Sequence, residues 1–185
     1  MKKELKQIIE NDLKRIYDLP LSFKDKYFMP PEVEYIILFR KATYYKGKSR
    51  LKYRFYSERL RRVAYFSHIS IPVGTSIGKG FYIGHTGRVI IHPDAVLGDN
   101  INISTGVTIG KCNRGSREGV PVLGNKIWIG TNAVIVGKVT IGDNVLIAPG
   151  AYVNTDIPAN SIVIGNPAVI HPNDNATDGY INRTV

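Results

Sequence analysis

The 185-residue sequence has one cysteine, Cys112, one tryptophan, Trp128, and two methionines. A single cysteine excludes an internal disulfide framework and a cysteine-based zinc site. No run of 18 apolar residues occurs, so nothing in it reads as a transmembrane helix. The opening residues, Met1-Lys2-Lys3-Glu4-Leu5-Lys6, lack the apolar core of a signal peptide, and the expected compartment is the cytoplasm. Acidic residues are in short supply: 15 Asp and Glu face 25 Lys and Arg, a net charge of +10. With 43% hydrophobic and 22% charged residues the composition is that of a folded protein rather than a disordered chain. The length admits one ordinary domain, or a small helical piece joined to a main body.

The charge is uneven. Residues 1–69 hold 17 Lys and Arg against 8 Asp and Glu, whereas residues 70–185 hold 8 against 7. Eight of the eleven tyrosines also lie in the first part. That part reads as helical. Leu5, Ile8, Ile9, Leu13 and Ile16 form one helical stripe between Lys2 and Tyr17. Pro20 and Pro30-Pro31 interrupt the chain. A second helix is expected from about Pro31 to near Gly47, and a third from about Arg50 to Phe66. The stretch Arg40–Arg62 interleaves Lys and Arg with Tyr and Phe. Such a surface suits an anionic ligand, a membrane face or nucleic acid, or is simply a solvated helix face. No nucleic-acid motif accompanies it, so nucleic acid is not an expected partner.

From residue 71 onward a period of six takes over. Aliphatic residues recur at Ile71, Ile77, Ile83, Ile91, Leu97, Ile103, Ile109, Leu123, Ile129, Ile135, Ile141, Ile147 and Val153. A period of six fits neither a 3.6-residue helix nor simple strand alternation. It fits a solenoid of short strands in which three hexads, about 18 residues, make one triangular coil and the aliphatics stack inside. Thirteen hexads give a little over four coils. Glycines such as Gly78, Gly98, Gly124 and Gly142 suit corners where the backbone turns sharply or takes positive φ.

The period breaks twice. Ile83 to Ile91 is two residues too long and contains Gly84-His85-Thr86-Gly87-Arg88. Ile109 to Leu123 is eight too long and extrudes a loop over 111–122. A loop thrown from a rigid prism is where ligand contacts tend to lie, and a glycine-flanked histidine at an irregularity is a better site candidate than one inside a rung. No two histidines have a tight metal-ligand spacing, and no metal is expected. The expected organisation is a basic helical region over 1–69, the repeat domain over 70–170 and a polar tail over 171–185 with little order unless it docks.

Five segments, Gly-His-Thr-Gly-Arg-Val-Ile-Ile (84–91), Val-Thr-Ile-Gly (107–110), Ile-Trp-Ile-Gly-Thr-Asn-Ala-Val-Ile (127–135), Ile-Gly-Asp-Asn-Val-Leu-Ile-Ala-Pro-Gly-Ala (141–151) and Gly-Asn-Pro-Ala (165–168), resemble the hexapeptide-repeat acyltransferases. The helical lead into Ile69-Ser70-Ile71-Pro72 is similar to the serine acetyltransferase branch. The resemblance covers about residues 31–170. It implies a mainly β protein, a left-handed parallel β-helix with a short N-terminal α-helical region. It also implies acetyl-CoA as cosubstrate and a homotrimer with active sites between subunits.

By the same resemblance His85 is the catalytic histidine, the general base that takes the proton of an acceptor hydroxyl as it attacks the thioester. Gly110, Gly130, Thr131, Ala148 and Pro149 match cofactor-binding positions, with Lys111 a phosphate partner. Arg88, Asn102, Arg114 and Arg117 are the candidate acceptor contacts. Three departures stand out. Gly84 replaces an aspartate before the histidine, Ser70 replaces the carboxylate fifteen residues upstream that orients it, and Gly119-Val120 replaces an Arg-His pair that meets the amino acid. A carbonyl, a water, Asn102, Ser104 or Thr105 is left to orient His85. An acceptor with a carboxylate and an ammonium would lack partners. The expected activity is therefore O-acetylation of a saccharide hydroxyl, on a surface polysaccharide or its precursor, with peripheral membrane contact at the inner face through the basic helices. The alternatives are a serine O-acetyltransferase with altered anchors and a non-enzymatic β-helical scaffold for a partner or membrane surface.

Overall fold

A computed structural model describes residues 2–17, 22, 24 and 28–185; the expected break at Pro20 lies outside the described residues. The three expected helices are α1 (Lys3–Lys14), α2 (Pro31–Tyr45) and α3 (Arg50–Ser67). The α1 stripe buries Leu5, Ile9 and Leu13 against Val33 of α2. Pro31 opens α2, where its missing N–H costs nothing, and Gly47 with φ +76° follows its end.

Fifteen short strands follow, β1 (Ile69–Ser70) to β15 (Val169–Pro172), and they sort into three sheets. One sheet runs β1-β4-β7-β10-β13, the second β2-β5-β8-β11, and the third β3-β6-β9-β12-β14-β15. Every pairing is parallel except β14 with β15, where the chain turns back on itself. Each coil contributes one strand to each face of a triangular left-handed β-helix. The hexad aliphatics are the rungs of its core: Ile83, Ile103, Ile129, Ile147 and Val163 stack in register, as do Ile91, Ile109, Ile135 and Val153. These residues are at most 2% exposed, and each such burial stabilises by about 1.5–3 kcal/mol.

The two breaks appear as offsets in the register. Partners lie 18 residues apart where the repeat is regular, as for Val134 and Tyr152. Tyr82 pairs with Asn102 and Ile69 with Val89, each 20 apart, and Asn102 pairs with Trp128, 26 apart. One corner column departs from expectation. Gly98 is glycine because the Gly124 carbonyl of the next coil crowds the place of its Cβ, and its φ is not positive. The left-handed residues of that edge come two positions later, at Gly80, Asn100, Lys126, Asn144 and Asn160. Asparagine tolerates that conformation better than most side chains.

The helices are fastened to the first coil by buried polar contacts. Arg40 of α2 donates from Nε to Asp12 Oδ2 of α1 at 2.7 Å and from Nη2 to Oδ1 at 3.2 Å, and its Nη1 reaches the Ile77 carbonyl at 2.7 Å. Asp12 Oδ1 also accepts the Phe81 N–H at 2.9 Å. The Tyr35 hydroxyl accepts the Ile71 N–H and donates to the Ile71 carbonyl, and burial pushes it up to about 12. The polar tail docks as well. Ala176, Thr177 and Ile181 are buried, and the Tyr180 ring lies 4.6 Å from Trp128. Asn144 and Asn100 hold its backbone at Asp174 and Val185.

Candidate active site

The segment 84–88 bulges between β3 (Tyr82–Ile83) and β4 (Val89–Ile91), and its backbone is held from both sides. The Gly84 N–H still reaches the Ile103 carbonyl of the next coil at 3.0 Å. The Gly87 N–H turns the other way, to the carbonyl of Ser67 at the end of α3, at 2.9 Å. The Arg88 carbonyl accepts the Gly106 N–H. His85 is therefore presented, exposed, from a bend tied to both the helices and the second coil. Among the described residues its imidazole has no side-chain partner. Of the expected orienting groups, Asn102 is engaged elsewhere. Thr105 lies directly beneath the bend, its Cβ 3.1 Å from where a Cβ on Gly87 would stand and its Oγ1 closer still. Gly87 has φ +138°. Gly87→Ala is expected to displace the bend and lower turnover by more than about tenfold, with Gly87→Ala/Thr105→Ala recovering part of it. Steady-state kinetics on both variants check this.

The expected cofactor positions fall on two edges of the prism. Gly84, Ser104, Gly130 and Ala148 form one column, each N–H bonded to a third-sheet carbonyl of the next coil, those of Ile103, Ile129, Ile147 and Val163. His85, Thr105, Thr131 and Pro149 follow them round the same corner. Gly110 and Lys111 lie on the next edge, beyond the first sheet, where the loop departs. At about 3.3 Å per residue the two edges stand about 15 Å apart.

The loop is braced by its own hydrogen bonds. Cys112 and Gly119 bridge it as an antiparallel pair with both bonds at 3.0 Å. Arg117 Nη1 donates to Asp156 at 2.9 Å and to the Lys138 carbonyl at 3.2 Å, and this guanidinium holds the Asp156 carboxyl below its usual range. Gly119 has φ +135°, and a Cβ there would press on Lys138 Cβ at 3.0 Å. The missing basic anchor at this position is thus built into the loop's conformation. At Gly84 the opposite holds: a Cβ would meet only ordinary contacts, with the Tyr82 hydroxyl 3.9 Å away.

The four expected acceptor contacts separate. Asn102 is 6% exposed; Arg15 donates to its oxygen and its amide donates to the Tyr180 carbonyl. Its partners are α1 and the tail, so it is a structural clasp. Arg117 is occupied by Asp156 and Lys138. Arg114 is exposed at the loop tip, where its carbonyl accepts the Cys112 thiol. Arg88 follows His85 by three residues on the same bend. It lines a cleft of about 590 Å³ with Arg61, Tyr65, His68, Ser70 and Ile90, and among the described residues its side chain has no hydrogen bond or ion pair. His68, in left-handed conformation at φ 56° after α3, is a cleft residue that the sequence did not single out. His92 is a corner residue, its Nδ1 accepting the Asp94 N–H at 3.2 Å.

Residues 121–155 match the family model described as bacterial transferase hexapeptide (six repeats). The chain is 35% identical over 120 residues to the serine acetyltransferase of Helicobacter pylori strain 26695, covering 63% of this chain and 70% of that protein. It spans about a third of the longer Arabidopsis thaliana serine acetyltransferases it matches. Among solved structures it is similar to Neisseria gonorrhoeae serine acetyltransferase in complex with serine (TM-score 0.74, 27% identity, 92% of this chain and 70% of that one). It is also similar to Brucella abortus serine acetyltransferase in complex with coenzyme A (TM-score 0.76, 26% identity, 92% and 68%). These relatives overturn the saccharide acceptor. That expectation was built on three absent side chains, and an absence at three positions does not exclude recognition from a fourth.

Proposed function

Because the chain belongs to the hexapeptide-repeat transferase family of the serine acetyltransferases, we propose that it is an acetyl-CoA-dependent O-acetyltransferase whose acceptor is serine, with His85 as general base. The observation that carries this reading is the exposed His85 at the same corner of the prism as Thr131 and Pro149. In the proposed step the imidazole accepts the proton of the serine hydroxyl as its oxygen attacks the thioester carbonyl. The tetrahedral intermediate then collapses, the C–S bond breaks, and the coenzyme leaves as a thiolate that takes up the proton.

A homotrimer supports the site. One prism keeps the Gly110–Lys111 edge away from the His85 edge, whereas two prisms side by side bring one edge of each together. The pantetheine arm then runs between neighbours along Gly130, Thr131, Ala148 and Pro149, and Lys111 meets phosphate. Arg88 takes over the carboxylate of the acceptor from the absent anchors, since its guanidinium, without a hydrogen bond or ion pair among the described residues and three residues from the base, matches a carboxylate in charge and geometry.

Labelled acetyl-CoA offered with L-serine, oligosaccharides and nucleotide sugars tests the reading. Saturable O-acetylation of serine is expected, and transfer to a sugar without transfer to serine would reject it. Arg88→Gln is expected to raise the KM for serine by roughly 10–100-fold with a smaller change in kcat, the loss of one charged hydrogen bond.

A further inference from the structure

The apolar row on the outward face of α3, Leu51, Phe55 and Phe66, has no part in the cleft that holds Arg88. The inward face of the helix packs Tyr56, Leu60, Val63 and Ala64 on the core. At 100° per residue, Leu51, Phe55, Arg62 and Phe66 line up along the opposite side, a row about 22 Å long. The apolar members are strongly exposed: Leu51 84%, Phe55 57% and Phe66 77%. Arg54 and Arg61 flank the row on one side and Lys52 and Arg59 on the other, all exposed, with Arg59 paired to Glu34 of α2 at 2.8 Å. The helix holds six Lys and Arg against one acid, Glu58, which pairs with Arg61 and Arg62.

We propose that this face of α3 is an interfacial docking surface for an anionic lipid bilayer. The row of Leu and Phe inserts into the headgroup boundary, and the flanking guanidinium and ammonium groups reach lipid phosphates. Charge selects this occupant over a second copy of the chain, because two such faces in contact would oppose two strongly cationic rims. No helix among the described residues is long and apolar enough to cross a membrane, so the contact lies in the plane of the surface. The proposal does not depend on the acceptor.

The test is co-sedimentation of the full chain with vesicles of neutral phosphatidylcholine, alone or with about 30% phosphatidylglycerol. Binding to the anionic vesicles at least about tenfold tighter is expected, falling steeply as salt rises from about 0.1 M to about 1 M and the Debye length shrinks from about 10 Å to about 3 Å. Leu51→Ser/Phe55→Ser/Phe66→Ser should remove the binding at unchanged sedimentation mass and unchanged acetyl transfer in solution. Phe55→Trp should add a fluorescence component that shifts to the blue on anionic vesicles. Absence of binding, binding that survives the triple variant, or a drop in oligomer mass in that variant, which would make the face a contact between copies, overturns the proposal.

Discussion

His85→Ala lowers kcat for acetyl transfer by about 10²–10⁴-fold, the range a positioned general base supplies. The expectation is clean because of where the side chain lies. His85 is exposed and has no side-chain hydrogen bond among the described residues, so its loss leaves no buried group unpaired and little stability changes. Coenzyme binding by calorimetry and oligomer mass by sedimentation should both match the parent protein. Asn102→Ala is the contrast. It removes the acceptor of Arg15 and the donor to Tyr180, so it should lower the melting temperature while kcat falls far less. If His85→Ala kept its turnover, the general base would have to be another group, and His68, in the cleft with Arg88, would be the first to replace.

The difference between those two residues marks what the sequence made legible. Periodicity is a local property, and it specified the rungs: a two-residue and an eight-residue excess reappear as register offsets of 20 and 26 in place of 18. Pro31 and Gly47 bounded α2 through conformations that depend only on their own backbone. Polar side chains are committed by partners far along the chain, and no period reports those. Asn102 meets Arg15 and Tyr180, 87 and 78 residues away, and Arg117 meets Asp156, 39 away. Both therefore looked available for substrate when read in sequence. The tail was obscure for the same reason, since its docking depends on Asn100, Asn144 and Trp128 lining one face of the finished prism. The acceptor was misjudged because a motif comparison records which anchors are gone. Only the fold shows that Gly119 excludes a side chain and that Gly84 would admit one, and that Arg88 has no hydrogen bond or ion pair from its side chain among the described residues.

Arg40 is the case in which the sequence pointed the wrong way, and it leads to the largest expected effect on stability. It opens the basic, aromatic stretch that reads as solvated, yet it and Asp12 are among the most enclosed charges in the molecule, with side chains 5% and 2% exposed. Burial raises the Asp12 carboxyl above its ordinary value, opposed by the Arg40 guanidinium and by backbone N–H donors from Phe81 and Gly80. Asp12→Ala leaves Arg40 charged and buried with, among the described residues, only the Ile77 and Gly78 carbonyls as hydrogen-bond partners. Breaking one side of such a pair costs about 3–5 kcal/mol, a large part of the roughly 5–15 kcal/mol that a domain has in all. At about 2–4 °C per kcal/mol for a chain of this length, the melting temperature should fall by roughly 6–20 °C. The double variant Asp12→Ala/Arg40→Met removes both charges and keeps most of the apolar volume. It should be more stable than Asp12→Ala alone, because the cost lies in the orphaned charge rather than in the missing attraction. Thermal unfolding of the two variants, followed by far-ultraviolet circular dichroism, decides it. Additive losses would mean that the helices are held to the first coil by their apolar contacts and that Asp12 and Arg40 act independently.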